Sequence, residues 1–124
     1  VNIHIEVIPH EQQRYETVGD WRWNEGDLTI SVSNTSNWKY EALVAVHELC
    51  EVLMCKNDGV SQEDVDEFDQ AYEAHRKPND DSEPGDDPAA PYRKQHFIAT
   101  NIERILAVAL GVDWKRYEDT LYEL

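Results

Sequence analysis

Hydrophobic and polar positions alternate over residues 2–8. Ile3, Ile5 and Val7 fall on one side of an extended chain, Asn2, His4 and Glu6 fall on the other, and Pro9 closes the run. A period of two predicts a half-buried strand. Residues 14–18, about 20–24 and 27–33 read as three further strands, with Gly19-Asp20 and Asn24-Glu25-Gly26-Asp27 as hairpin turns between them. In the last of these, Leu28, Ile30 and Val32 alternate with Thr29, Ser31 and Ser33. The first third of the chain is therefore expected to form an antiparallel sheet.

The pattern changes at SNTSNW. Ser36 or Asn37 can cap a helix over about 38–56, which Asn57-Asp58-Gly59 can end. Ser61, with Asp64 three residues on, opens a strongly acidic helix to about Arg76. Residues 77–91, KPNDDSEPGDDPAAP, hold four of the five prolines and predict a loop, a solvated acidic linker whose carboxylates lack the order of a calcium loop. From Pro91 a helix is expected to about Leu110, with Ile98, Ile102, Ile105, Leu106 and Ala109 as one apolar stripe. Gly111 ends it, and Asp113 can cap a last short helix carrying Trp114, Tyr117 and Leu121 on one face. The elements predict a single α+β domain over 1–124, a small N-terminal antiparallel sheet (about 2–33) followed by three or four helices.

Charge narrows the range of partners. Eleven basic residues stand against 26 acidic ones, a formal charge of −15 in 124 residues. Nucleic-acid binding by counterion release needs a basic stripe, and none is present. Anionic membrane surfaces are disfavoured on the same ground. The longest apolar run, Ile105 to Val112, has eight residues, far short of a membrane span. The opening VNIHIEVIPHE lacks the features of a signal peptide, so a soluble, cytoplasmic protein is expected. Cys50 and Cys55 are five apart on one helix and point to different sides, which predicts free thiols.

The candidate chemistry lies in ALVAVHELCEVLMC, residues 42–55, where 11 of 14 side chains are apolar. Such a helix is normally buried on most sides, yet it carries His47, Glu48 and Glu51. Two buried carboxylates need compensation, and no Lys or Arg lies between Glu41 and Lys56 to supply it. A metal ion would. His47 and Glu51 are one helical turn apart and can converge on one ion, while Glu48 projects from an adjacent direction, close enough to touch a metal-bound water without being a ligand.

H47-E48-L49-C50-E51, preceded by the strand DLTISVS and followed by a second helix after an acidic insertion, resembles the zincin metallopeptidases, especially minimal versions of that fold. The resemblance covers roughly residues 27–110. It implies a zinc-dependent peptidase acting on a peptide or protein substrate, with Glu48 as general base and the 27–33 strand, through Thr29, Ser31 and Ser33, as the cleft edge that pairs with substrate. Family members with two His on the first helix often take a Glu from a later helix as third ligand. Here Glu51 replaces the second His, and a later His would restore the two-His, one-carboxylate set. His96 is the natural candidate. Glu103, on the same side of that helix, is a possible holder of the His96 ring or a replacement ligand. His75 is the other reachable imidazole; His4 and His10 read as surface residues, and Cys50 and Tyr40 as packing. A carboxylate in place of imidazole adds negative charge and weakens the Lewis acidity of a bound zinc.

Two alternatives stand beside this reading. Glu48-x-x-Glu51 with Glu63-x-x-Asp66 resembles the paired acidic motifs of all-helical, magnesium-dependent nucleotide pyrophosphohydrolases, although a strand-rich first third does not suit that bundle. A non-catalytic module on a zincin-like scaffold could instead bind a basic protein partner through its acidic surface.

Overall fold

The computed structural model describes all residues, 1–124. Three strands, β1 (Ile3–Ile8), β2 (Gly19–Asn24) and β3 (Asp27–Ser33), precede four helices. The helices are α1 (Trp38–Asp58), α2 (Gln62–Ala74), α3 (Arg93–Ala109) and α4 (Trp114–Tyr122). The molecule is thus α+β, a small N-terminal sheet followed by helices. No helix is long and apolar enough to cross a membrane. Both cysteines are free.

The sheet departs from the expected antiparallel pattern. Its order is β1-β3-β2, with β2 antiparallel to β3 and β1 parallel to it. The β2–β3 hairpin turns on Glu25 and Gly26, with φ of 50° and 85°. Two successive positive φ values make the tight turn that matches strand twist, and glycine adopts one of them without strain. Residues 14–18 are not a strand, and Gly19-Asp20 lies inside β2 rather than in a turn. The 9–18 segment carries the chain from the end of β1 across the end of β3 to the start of β2. Side chains satisfy it there: Arg14 forks onto buried Asp20 at 2.7 and 2.9 Å, and Gln13 donates to the Ser31 carbonyl and Ser33 Oγ at 3.2 and 3.1 Å.

Leu28, Ile30 and Val32 of β3 are fully buried against Leu43, Val44, Val52 and Cys55 of α1. Burial on this scale stabilises by about 1.5–3 kcal/mol per side chain. Over residues 42–55 helix α1 is buried or part-buried at every position except Leu53, which is half exposed. Asn37 is the cap, accepting from Lys39 N and Tyr40 N, and Gly59 at φ 76° terminates the helix.

Two predicted apolar faces point outward. Ile3, Ile5 and Val7 are 50%, 46% and 49% exposed. They share a sheet face with Leu28, Ile30 and Val32, but the helices stop short of covering β1. On α3, Ile102, Ile105 and Ala109 are exposed, while Gln95, His96, Ala99, Glu103 and Ala107 are buried. The helix turns its polar side inward because that side makes the contacts described next.

Candidate metal centre

His47 and Glu51 lie on the buried stripe of α1, His96 and Glu103 on the facing side of α3. The acidic 77–91 segment is a loop as expected, but it is not merely a solvated linker. Its short turn at Pro84–Asp86 folds onto His96. A Cβ on Gly85 would stand 2.3 Å from His96 Cγ, so only glycine lets the strap approach the ring this closely.

The side chains form a continuous chain of contacts. Tyr117 Oη donates to Glu103 Oε2 at 2.6 Å, and Glu103 Oε1 meets His47 Nδ1 at 2.8 Å. His47 Nε2 lies 3.1 Å from Glu51 Oε2, and His96 Nδ1 lies 3.1 Å from that same oxygen. His96 Nε2 meets Glu83 Oε2 at 2.8 Å, with Asp86 Oδ1 at 3.4 Å. The other Glu51 oxygen accepts from Trp21 Nε1 at 3.0 Å. Each imidazole therefore has an outer nitrogen against an outer carboxylate and an inner nitrogen aimed at Glu51 Oε2.

That arrangement dictates the proton count. An outer ring nitrogen bound to an ionised carboxylate carries the ring proton, which leaves the inner nitrogen a lone pair. Two inner lone pairs facing one carboxylate oxygen repel unless each takes a further proton or a cation sits among them. Without a cation, protons fill the role. Burial alone would lower the pKa of His47, but its bonds to Glu103 and Glu51 outweigh that and hold it well above the ordinary imidazole range. His96 behaves likewise: burial is outweighed by Glu51 and Glu83, which raise it to about 10. For Glu51, burial is outweighed by both imidazoles, which lower it to about 2.

The donor set also fits a divalent ion. His47, Glu51 and His96 each bring one donor atom within 4.8 Å of the other two. Donors about 2.0–2.1 Å from a tetrahedral zinc stand about 3.3 Å apart, close to the two 3.1 Å separations here.

Glu48 projects from the adjacent direction into a cleft of about 500 Å³ also lined by Tyr15, Gly19, His47, Asp69 and His96. Its carboxylate lies against Gly19, where a Cβ would come 2.7 Å from Oε1. Burial, reinforced by Glu51, pushes its pKa well above the usual carboxylate range. Beside it, Asp69 accepts from Tyr15 Oη at 3.1 Å and from Tyr92 Oη. Burial raises Asp69 to about 7 against the opposing Tyr92 bond.

No family model, curated protein or solved structure matches the chain.

The other sequence candidates separate from the cluster. Glu103 holds His47 rather than His96. His75 caps α2 and bonds the Ala71 carbonyl through Nδ1 at 2.8 Å, outside the group. Thr29, Ser31 and Ser33 cannot form a cleft edge, because β3 is the central strand and is paired on both sides. Ser31 and Ser33 are buried, bound to Glu6 and His10 at 2.9 and 2.8 Å. The edge that borders the cleft is β2, through Gly19 to Trp21. Glu63 is exposed and Asp66 is engaged by Arg14 at 3.2 Å, so the second acidic pair does not gather with Glu48 and Glu51.

Trp21, Glu83, Gly85 and Tyr117 were not expected at the site. Glu83-Pro84-Gly85-Asp86 reads as linker composition, and Tyr117 reads as packing.

Proposed function

We propose that this protein binds one zinc ion through His47, Glu51 and His96 and uses it to hydrolyse a peptide bond. The observation that carries the proposal is the pair of anchored imidazoles. Glu103 and Glu83 each fix one ring nitrogen, and the two remaining nitrogens converge on one oxygen of Glu51. Outer carboxylates that set the tautomer and aim of a histidine are a regular companion of metal ligation. The resemblance of HELCE to the zincin motif supports the same reading.

A bound zinc would supply Lewis acidity and a more acidic water. The chain's own groups have the remaining tasks. Glu48 makes no side-chain hydrogen bond and faces the cleft, so it is free to take a proton from the attacking water and pass it to the leaving amine. Trp21 and Tyr117 keep Glu51 and Glu103 from rotating. On β2 the outward main-chain groups of Trp21 and the amide of Gly19 offer a short edge for an extended peptide; the Gly19 carbonyl accepts from Thr17 Oγ1 at 2.7 Å, and Gln62 Oε1 closes the far end by accepting from Trp23 N at 2.6 Å.

The test is metal content by inductively coupled plasma mass spectrometry on protein purified without chelator, followed by a peptidase assay. Near-stoichiometric zinc, lost in both His47→Ala and His96→Ala, is the expected result. Glu48→Gln should keep the zinc and lose hydrolysis by at least about a hundredfold. Protein that takes up no zinc at neutral pH overturns the proposal. Zinc binding with Glu48→Gln as active as the parent would remove Glu48 from the mechanism.

A further inference from the structure

β1 is an edge strand whose face and edge are both unpartnered. Its parallel register with β3, in which Leu28 N bonds Asn2 O at 2.9 Å and Asn34 N bonds Ile8 O at 2.8 Å, turns the main-chain groups of His4 and Glu6 toward β3. The amides and carbonyls of Ile3, Ile5 and Val7 point away from the sheet, and their side chains are the half-exposed apolar row on the helix-covered face. Edges of this kind are normally blunted by a lysine, a proline or a bulge within the strand, and β1 has none of these.

We propose that β1 is the seam of a homodimer, pairing antiparallel with β1 of a second copy about a two-fold axis through Ile5. The resulting sheet would have six continuous strands. The strand's own sequence selects this occupant and this register. Only residues with outward main-chain groups can form the hydrogen-bonded pairs, so Ile3, Ile5 and Val7 must oppose one another. A register centred on Ile5 sets Ile3 against the partner's Val7 and Ile5 against the partner's Ile5. All three outward residues of each chain are then bonded, and the apolar row runs unbroken across the seam. It also sets His4 against the partner's Glu6, twice, in the closer non-hydrogen-bonded pairs on the other face.

The neighbouring registers lose these features. Centring on His4 opposes two histidines and sets Val7 against Val1, beyond the strand. Centring on Glu6 opposes two carboxylates and sets Ile3 against Pro9, which has no amide proton. IHIEV is therefore self-complementary in one register only. At −15 per chain, overall repulsion opposes association and salt screens it. The inference is independent of the metal site.

Sedimentation velocity from low to high micromolar protein, near physiological and at raised salt, tests the seam. A concentration-dependent dimer that tightens with salt is expected. Ile5→Lys should abolish it. The His4 side chain is 67% exposed and its one ion-pair partner is Glu6 of its own chain, at 3.5 Å, so its substitutions leave the fold intact. His4→Glu should weaken the dimer roughly tenfold, and His4→Lys should tighten it severalfold. A monomer under every condition overturns the proposal. So does a dimer indifferent to Ile5→Lys and His4→Glu, or one abolished instead by Ile105→Lys on the exposed face of α3.

Discussion

Glu51 gives one oxygen to Trp21 and presents the other to two imidazoles, so its position is set from three directions before any ligand arrives. His47 is fixed in the same way, through Glu103 and then Tyr117. A ligand shell whose members cannot rotate loses little freedom on binding, which is why outer partners influence metal affinity. Glu103→Ala should therefore lower zinc affinity by about 10–100-fold, measured by competition with a chromophoric chelator. Glu103→Gln should recover most of that loss, because its carbonyl still accepts the His47 Nδ1 proton. An Ala variant that binds zinc like the parent would mean that Glu103 only packs. At this scale the sequence carried the α1 members of the cluster, because His47, Glu48 and Glu51 stand out as polar groups inside an apolar helix. It did not carry Glu83 or Tyr117, since both contacts join segments distant in the chain and neither has a local pattern.

At the scale of elements, apolar periodicity located the elements well and their exposed sides poorly. β3 is buried because β1 and β2 flank it and α1 covers it. β1 has the same alternation but lies beyond the reach of α1. On α3 Ile102, Ile105 and Ala109 of the apolar stripe are outside while Leu106 packs against the core, and Gln95, His96 and Glu103 are inside because they have partners on α1 and in the turns around it. Periodicity reports that a helix has two faces; it does not report which face is met by partners able to satisfy polar groups. The difference is measurable. Ile30→Ala should cost about 2–5 kcal/mol in urea unfolding, the usual price of a cavity in a packed core. Ile105 is 72% exposed, and Ile105→Ala should stay within about 0.5 kcal/mol of the parent. Comparable losses at both positions would mean that α3 is covered in solution.

At the scale of the whole molecule, 26 acids must be kept from repelling one another, and most are solvated on the surface. Asp69 is not. It is buried beneath Tyr15 and Tyr92, and desolvation raises its pKa from 3.8 to about 7. Between those values the unfolded chain has released the proton that the folded chain still holds. Folding then binds a proton, and stability falls as pH rises. The Asp69 contribution is at its best below about pH 4, declines through the interval to about pH 7, and is level above it. The shift corresponds to about 4 kcal/mol. Asp69→Asn cannot titrate, so the stability of the parent relative to this variant should decline from pH 4 to pH 7 by that amount and stay level on either side. Glu51, lowered to about 2, contributes with the opposite slope, but its titration lies mostly below pH 4, outside the interval compared. Chemical denaturation of the pair across that range is the measurement. A difference independent of pH would mean that Asp69 is ionised in the folded protein throughout, held by its two tyrosine hydroxyls despite burial.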